Sequence, residues 1–252
     1  MQNDFKVIES HSAQAPFYKY RTPYLSTMFD GIVRDLSLND QSVLADACCG
    51  RGELSSRLIE RVGRIHAFDG SQEMLDHALR HDRISYSLCD VNSNRFKAPE
   101  PVDHILVGRA LHWIERDSLQ QLMEDNLVDG GTVLICSSFW TSDGPWEVPY
   151  KQVLDMFCRL EKPPRQHFTG AEKLESVGLK LGKIVKSKAL MRVSLRYLFA
   201  HSLSGAYGED FDRLMANRKA FADALIRALQ PSLVDGRLQM KLTSYAAIYE
   251  RA

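Results

Sequence analysis

A short apolar run that ends in two glycines is the feature that most constrains the fold of this 252-residue chain. Residues 43–49 read Val-Leu-Ala-Asp-Ala-Cys-Cys, and Gly50-Arg51-Gly52 follows directly. The run is typical of a buried parallel strand, and the glycines predict a tight turn. Residues 53–62 carry apolar side chains at helical spacing, so the turn joins a strand to a helix. This unit predicts an α/β protein whose ligand lies at the carboxyl end of the strand.

The segments that follow repeat the alternation of strand and helix. Strands are predicted at 64–69, 84–90, 102–107 and 132–136, and helices at 72–79 and 119–127. The sequence Asp129-Gly130-Gly131 is typical of a helix C-cap and is predicted to end the second of these helices. Such alternation predicts right-handed βαβ units, and therefore a doubly wound, mostly parallel sheet with helices on both faces.

The two ends of the chain are predicted to add helices and an antiparallel strand to one domain, 1–252. A helical stripe precedes the first strand, so residues 1–40 are predicted to form an N-terminal helical cap. Residues 141–230 are predicted to form an insertion or lid on the substrate side. That region has predicted helices at 147–160, 171–177 and 213–229 and strand segments in 181–193, whereas a final antiparallel strand begins at Leu238 after the Asp235-Gly236 turn. The aromatic residues of the insertion (Trp140, Trp146, Phe157) fit a substrate lid and a core equally.

Composition excludes several classes of partner. Lys plus Arg comes to 32 and so does Asp plus Glu, so the formal net charge is 0. No global field therefore favours nucleic acid or an anionic membrane. The sequence shows neither a long apolar run nor the pattern of a secretion signal. We expect a cytoplasmic monomer or homodimer with a small-molecule substrate and without nucleic-acid or membrane partners.

Cysteines and histidines give no metal or disulfide framework. The five cysteines contain no CxxC pair, which predicts free thiols. His77 and His81 are four residues apart, a spacing that metal ligands use, but no third ligand lies nearby in the sequence. We therefore expect no metal.

Acidic residues accompany the first three predicted strands. Asp46 lies in the first strand, Asp69 closes the second, and Asp90 closes the third. A carboxylate at the position of Asp69 can accept hydrogen bonds from ribose hydroxyls. Asp46 suits a cationic ligand that carries an ammonium or a sulfonium. The turn lacks the first and third glycines of the dinucleotide fingerprint G-x-G-x-x-G, which disfavours a nicotinamide-dependent dehydrogenase.

Four motifs together resemble one enzyme family. Residues 44–52, Leu-Ala-Asp-Ala-Cys-Cys-Gly-Arg-Gly, resemble motif I (L-D-x-G-C-G-x-G) of the class I S-adenosylmethionine-dependent methyltransferases. Residues 67–71 and 89–91 are similar to the acidic ends of that family's second and third strands. Residues 102–113 resemble its fourth strand with a His-Trp continuation. That continuation and residues 18–24, Tyr-Lys-Tyr-Arg-Thr-Pro-Tyr, are similar to the small-molecule branch that includes trans-aconitate-type enzymes.

The resemblance implies a Rossmann-like, seven-stranded sheet with an antiparallel last strand and a helical lid. It implies S-adenosylmethionine as the cofactor and transfer of its methyl group to a small molecule, such as a metabolite with a carboxylate or hydroxyl. Asp46 would serve the methionine ammonium, Asp69 the ribose and Asp90 the adenine, with Arg21 near the methionine carboxylate. The implied cofactor-binding residues are Tyr20, Arg21, Asp46, Ala47, Cys48, Gly50, Gly52, Asp69, Gly70, Ser71, Asp90, Val91 and Arg109.

The resemblance also names a candidate catalytic residue and leaves alternatives open. His112 follows the fourth strand, where an imidazole could act as a base near neutral pH. Alternatively, His112 only walls the pocket, Arg109 holds an anionic substrate or forms a surface ion pair, and Tyr20 and Arg21 only pack or lie on the surface. Cys48 replaces the motif's first glycine. This departure keeps open a protein of the same fold that binds the cofactor without transferring a methyl group.

Overall fold

A seven-stranded sheet organises the described part of the chain. The computed structural model describes residues 14–93, 95–141, 144–158, 170–206 and 208–252. The strands are β1 (Val43–Ala47), β2 (Arg64–Asp69), β3 (Ile84–Leu88), β4 (Val102–Gly108), β5 (Leu127–Thr141), β6 (Leu179–Val193) and β7 (Leu238–Arg251). The α-helices are α1 (Ser26–Asp35), α2 (Glu53–Leu58), α3 (Gln72–Asp76), α4 (Arg116–Asn126), α5 (Glu147–Phe157), α6 (Gly170–Ser176), α7 (Leu195–Gly205), α8 (Glu209–Ala216) and α9 (Arg218–Leu229).

The order of the strands places a switch point beside β1. The sheet runs β3-β2-β1-β4-β5-β7-β6, and the pairs β1–β2, β2–β3, β1–β4 and β4–β5 are parallel. The last strand, β7, is the antiparallel one, so the predicted fold class is confirmed. After β1 the chain builds outward through β2 and β3, and it then returns to the other side of β1 with β4. Ligands of open α/β sheets bind at such a reversal, outside the carboxyl ends of the strands.

Alternating side chains of the central strands fill two cores, one on each face of the sheet. Val43, Ala45 and Ala47 of β1 belong to one buried cluster, whereas Leu44 belongs to the other. All five residues of β1 are buried, as a central parallel strand requires. The continuous apolar character of the sequence here is the direct result of burial on both faces.

The described residues fall into two compact units. The sheet unit contains residues 24–138, 166–187 and 244–252, and the helical unit contains the described residues of 1–23, 139–165 and 188–243. The helical unit has its own buried cluster, in which Trp146 and Phe221 are among the largest side chains. Trp140 and Phe157 pack against that cluster, so these aromatic residues serve a core. The described residues of the predicted cap, 1–40, divide between the units, because α1 packs in the sheet unit.

Several predicted boundaries were wrong for identifiable reasons. The helix predicted at 213–229 is two helices, α8 and α9, because Asn217 (φ −105°, ψ 20°) leaves helical geometry between them. Asp129-Gly130-Gly131 does not cap a helix: α4 ends at Asn126, and the glycine pair lies within β5, where the register against β4 shifts. Gly130 has a φ of +77°, which suits such an irregularity. Two consecutive prolines, Pro163-Pro164, predict a helix break, and they lie outside the described residues.

The turn at Asp235-Gly236 is present but joins no pair of long strands. Both residues have positive φ, and Val234 and Arg237 exchange backbone hydrogen bonds across them. The turn therefore leads into β7 locally, after α9, and sheet partners of β7 come from distant parts of the sequence. Among the helices that the structure describes, none combines the length and apolar character needed to cross a bilayer.

Close approach of α1 and β6 makes Gly31 a sensitive position. A Cβ on Gly31 would overlap Cγ1 of Val185. We expect Gly31→Ala to lower the free energy of unfolding by about 1–3 kcal/mol, the usual cost of overpacking a core. Urea unfolding of a double-mutant cycle measures it: in a Val185→Ala background, which removes the clashing atom, Gly31→Ala should cost little. Equal losses in both backgrounds would contradict this packing.

Candidate functional site

A buried carboxylate links the first strand to the first helix of the sheet. Asp46, in β1, is 1% exposed, and its Oδ2 accepts hydrogen bonds from the Ser55 amide (3.2 Å) and hydroxyl (2.6 Å). Ser55 lies in the first turn of α2 and is itself fully buried. Burial raises the pKa of Asp46 to about 7, against the Ser55 hydrogen bonds, which lower it; nearby Asp69 and Glu53 raise it further. The two hydrogen bonds between Asp46 and Ser55 therefore fix the direction in which the chain leaves β1.

The turn between β1 and α2 is built from left-handed residues. Cys48, Gly50 and Gly52 have φ values of 53°, 57° and 72°. The Cys49 amide donates to the Phe68 carbonyl of β2 at 2.9 Å, which anchors the turn to the neighbouring strand. A Cβ on Gly52 would collide with the Tyr86 hydroxyl, so a close approach and a positive φ both require glycine there. Cys48 also lies in the left-handed region, and because it carries a Cβ this conformation costs energy.

Asp69 binds that turn from the end of β2. Its two carboxylate oxygens accept hydrogen bonds from the Gly50 amide (2.7 Å) and the Ser71 amide (2.9 Å). Gly70 lies between Asp69 and Ser71 in the sequence, and the Ser71 hydroxyl accepts from the Met74 amide as the N-cap of α3. The carboxylate is thereby held in one orientation at the carboxyl edge of the sheet.

The loop after β3 brings a third carboxylate to this edge. Asp90 accepts hydrogen bonds from the Asn92 amide (3.0 Å) and the Ser93 hydroxyl (2.8 Å), which close a tight turn. The preceding Cys89 amide donates to the Asp69 carbonyl at 2.9 Å, so the β2 and β3 ends are joined. Val91 packs against the same core cluster as Cys48.

The three predicted carboxylates lie close enough to Cys48 to affect its thiol electrostatically. Burial raises the pKa of the Cys48 thiol well above its usual range, and Asp69, Asp46 and Asp90 raise it further, in that order. Three carboxylates from three adjacent strands thus act on one thiol in the first turn. The structure brings together the predicted set from Asp46 to Val91, with Ala47 as the buried last residue of β1.

The turn after β4 presents the His112 and Trp113 side chains. Leu111–Trp113 form a short 3-10 helix in which Leu111 is buried and both following side chains are exposed. The His112 and Trp113 rings contact each other, with centroids 4.6 Å apart. His112 is therefore accessible at the switch-point side of β4, and its catalytic role stays a prediction.

Arg109 lies at the switch point in a strained conformation. Its φ is 57°, and its guanidinium forms an ion pair with Glu53, the first residue of α2. The guanidinium also stacks over the Tyr24 ring at 4.7 Å. Burial raises the pKa of Tyr24, whereas Arg109 lowers it. Glu53 and Tyr24 were absent from the predicted site, and only their positions near the two motifs could have suggested them.

Tyr20 and Arg21 belong to the helical unit. The Tyr20 carbonyl accepts a hydrogen bond from His201 Nδ1 at 2.8 Å, and the Arg21 carbonyl accepts from the Tyr197 hydroxyl at 3.2 Å. Their ring and guanidinium pack on Tyr197 and Tyr18 respectively. These contacts order the opening motif, and a role for Tyr20 and Arg21 toward the cofactor stays a prediction.

The two histidines with metal-ligand spacing are engaged elsewhere. His77 ends α3, which is shorter than the predicted helix, and its Nδ1 lies 2.8 Å from the Glu73 carbonyl. His81 contacts the Arg83 amide and the Glu60 carboxylate. Within the described ranges, no three His, Cys, Asp or Glu side chains form a group that could hold a metal ion.

Comparison with known proteins shows which sequence family the strand-end site is similar to. Residues 44–128, which run from β1 into the start of β5 and include the turns after β1 to β4, match the sequence family described as "Methyltransferase domain". The match covers 85 of the chain's 252 residues. The predicted enzyme class is therefore confirmed, whereas the trans-aconitate-type branch stays a prediction. No curated protein matches the chain.

Solved structures share the fold of the methyltransferase domain at low sequence identity. A proposed type II methyltransferase from Anaeromyxobacter dehalogenans superposes with a TM-score of 0.65 at 18% identity, covering 92% of this chain and 97% of that one. A Geobacter sulfurreducens methyltransferase in complex with S-adenosyl-L-homocysteine gives 0.52 at 17%, covering 100% and 99%. The [4+2]-cyclase SpnF gives 0.50 at 14%, covering 92% and 87%. Because the cyclase has the same fold, this likeness describes architecture alone.

Substitution at Cys48 tests the strain in the first turn. Cys48→Gly relieves the left-handed conformation, whereas Cys49→Gly gains nothing there, because Cys49 does not have a positive φ. We expect Cys48→Gly to be more stable than Cys49→Gly by about 1–2 kcal/mol in chemical unfolding, the usual cost of a side chain in that region. Equal stability of the two variants would contradict it.

The raised pKa of Asp46 predicts a pH-dependent stability. The folded pKa of about 7 exceeds the unfolded value of 3.8, so the folded state holds the extra proton between these values. Stability from this group is therefore lost as the pH rises toward 7. Asp46→Asn keeps a donor and an acceptor for Ser55, and its stability relative to the wild type should increase by up to about 1.4 kcal/mol per pH unit from pH 5 to 7. The free energies of unfolding of the wild type and of Asp46→Asn are measured in urea against pH, and equal pH dependence of the two proteins would contradict the prediction. Asp40→Asn, at an exposed position, is the control.

Proposed function

We propose that the chain is an S-adenosylmethionine-dependent methyltransferase that transfers a methyl group to a small-molecule acceptor. The observation that carries the proposal is the meeting of Asp46, Asp69 and Asp90 around a left-handed turn at the carboxyl edge of β1 to β3. An acidic edge favours a cationic ligand and disfavours a pyrophosphate. A sulfonium nucleoside with an ammonium group matches the negative charge of this edge. The hydroxyls of its sugar can donate hydrogen bonds to the carboxylates.

The residues present fit such a cofactor. Asp69, oriented by two backbone amides, would accept hydrogen bonds from the ribose hydroxyls, because a carboxylate with fixed geometry can accept from two neighbouring hydroxyls. Asp90 would give the adenine a polar contact, and Val91 would give it an apolar one. The turn between Cys48 and Gly52 would let the backbone approach the methionine moiety, and Asp46 would act on its ammonium through water or backbone. Arg51 does not block this turn, because its Nε donates to the His77 carbonyl at 3.1 Å.

Beyond the cofactor, the protein orients the acceptor. The bound cofactor supplies an electrophilic methyl group for an in-line displacement. His112, accessible after β4, accepts the acceptor's proton, and Trp113 walls the pocket beside it. Arg109, held by Glu53 at the switch point, would contact the cofactor there.

The remaining features of the proposal follow from the sequence. The acceptor is a metabolite with a carboxylate or hydroxyl, as in the trans-aconitate-type branch. One domain, 1–252, has residues 1–40 as its N-terminal cap and residues 141–230 as its lid, with Tyr20 and Arg21 serving the cofactor. The protein is a cytoplasmic monomer or homodimer, and zero net charge supports the absence of nucleic-acid and membrane partners.

Calorimetry with S-adenosylmethionine, S-adenosylhomocysteine and NAD tests the cofactor. We expect micromolar binding of both adenosyl ligands and none of NAD. Asp69→Ala should weaken adenosyl binding by roughly 100-fold, since hydrogen bonds to a charged acceptor are each worth about 1.5–3 kcal/mol. Exposed Asp40→Ala is the matched control. A screen of carboxylate and hydroxyl metabolites with labelled methyl donor then identifies the acceptor.

Two results would overturn the proposal. Absence of adenosyl binding in the wild type would remove the cofactor. Binding without methyl transfer to any carboxylate, hydroxyl or amine acceptor would leave a protein of the methyltransferase fold with another chemistry.

A further inference from the structure

The turn that carries His112 has its backbone groups occupied by side chains from two other segments. The turn is a single 3-10 helix, too short to hold itself together by its own ladder. Its internal hydrogen bonds run from the Trp113 amide to the Ala110 carbonyl (2.8 Å) and from the Ile114 amide to the Leu111 carbonyl (3.3 Å). Its orientation therefore depends on what binds its outer carbonyls.

Lys173, from α6, binds two of these carbonyls. Its Nζ donates to the Leu111 carbonyl at 3.1 Å and to the Ile114 carbonyl at 2.7 Å. An ammonium at the C-terminal end of a helical turn also complements the helix dipole. Desolvation lowers the pKa of Lys173, while Glu115 raises it. The ammonium is thus partly withdrawn from water and donates to carbonyls 62 and 59 residues away in sequence.

Helix α6 is fastened to the same turn by further contacts. Leu174 is 1% exposed and lies in the buried cluster that contains Leu111 and Ile114. The Arg116 guanidinium donates to the Ser176 carbonyl at 2.9 Å, at the end of α6. Lys173 therefore stands on a helix whose position against the turn is already set.

Asn92, from the loop after β3, also binds the turn. Its Nδ2 donates to the Trp113 carbonyl at 2.7 Å, and its Oδ1 accepts from the Glu115 amide at 2.9 Å. Its own amide donates to Asp90, the carboxylate assigned to the adenine. One residue thus connects the cofactor side of the site to the acceptor side.

We propose that Lys173 and Asn92 are positioning residues that together clamp the turn of His112 and Trp113 in its reactive orientation. The inference rests on the proposed function for what the turn does, but the clamp itself stands on these contacts. With both side chains present, the carbonyls of Leu111, Trp113 and Ile114 are each bound. Neither side chain touches the acceptor; each acts through the turn.

Amide hydrogen exchange across residues 110–117 tests the clamp without an acceptor. Lys173→Met keeps the apolar stem and removes the ammonium, and it should speed exchange at Trp113 and Ile114 by roughly tenfold or more, because hydrogen bonds from a charged donor are strong. Lys173→Arg should restore slow exchange. Asn92→Ala should speed exchange at Glu115, whereas Ser93→Ala, which removes only a contact to Asp90, should not.

Kinetics with an acceptor from the labelled screen separates positioning from stability. Lys173→Met should lower kcat by roughly tenfold or more, with the KM for S-adenosylmethionine changed less than about twofold, since small misplacements near the reacting atoms are costly. Lys173→Arg should recover most of the rate.

Unchanged exchange at 110–117 in Lys173→Met would overturn the clamp. So would a rise of equal size in β1 and β4, or an unchanged kcat. Failure of the wild type to bind S-adenosylhomocysteine would instead refute the proposed function, and the exchange result would still decide the clamp.

Discussion

The buried hydrogen bonds between Asp46 and Ser55 are the interaction on which the site depends. They set the exit of the chain from β1 into α2, and the left-handed turn fits between the two fixed ends. A carboxylate here costs stability, because burial opposes its charge. The strand nevertheless lies inside the sheet, between β2 and β4 at the switch point, so the ends of both neighbours lie beside its own.

Hydrogen bonds to the backbone connect the loops along the carboxyl edge to one another, starting from this turn. Asp69 holds the turn, the Cys89 amide joins β3 to β2, and Asn92 joins the β3 loop to the turn after β4. Each loop is thus fixed by its neighbour, and none depends on regular secondary structure. An edge built this way places polar groups of distant sequence positions with the precision that orientation-dependent chemistry requires.

The sequence predicted the features that follow from local patterns. Burial on both faces makes β1 continuously apolar, and acidic residues at strand ends mark the edge, so the fold and the three carboxylates were predictable. Contacts between distant segments leave no such pattern: the pairing of Arg109 with Glu53 and the reach of Lys173 to the Leu111 carbonyl depend on packing. The break at Asn217 was likewise hidden, because the apolar residues continue across it.

The neighbouring thiols of the first turn have a consequence for chemical reactivity. Cys48 packs against one core cluster and Cys49 against the other, so a disulfide between them would require one side chain to leave its core. Burial raises the pKa of both thiols, and the surrounding carboxylates raise each one further. Because the thiolate is the species that reacts with oxidants and electrophiles, we expect both cysteines to react slowly at neutral pH. The acidity that suits the edge for a sulfonium thus also protects the turn from alkylation by it.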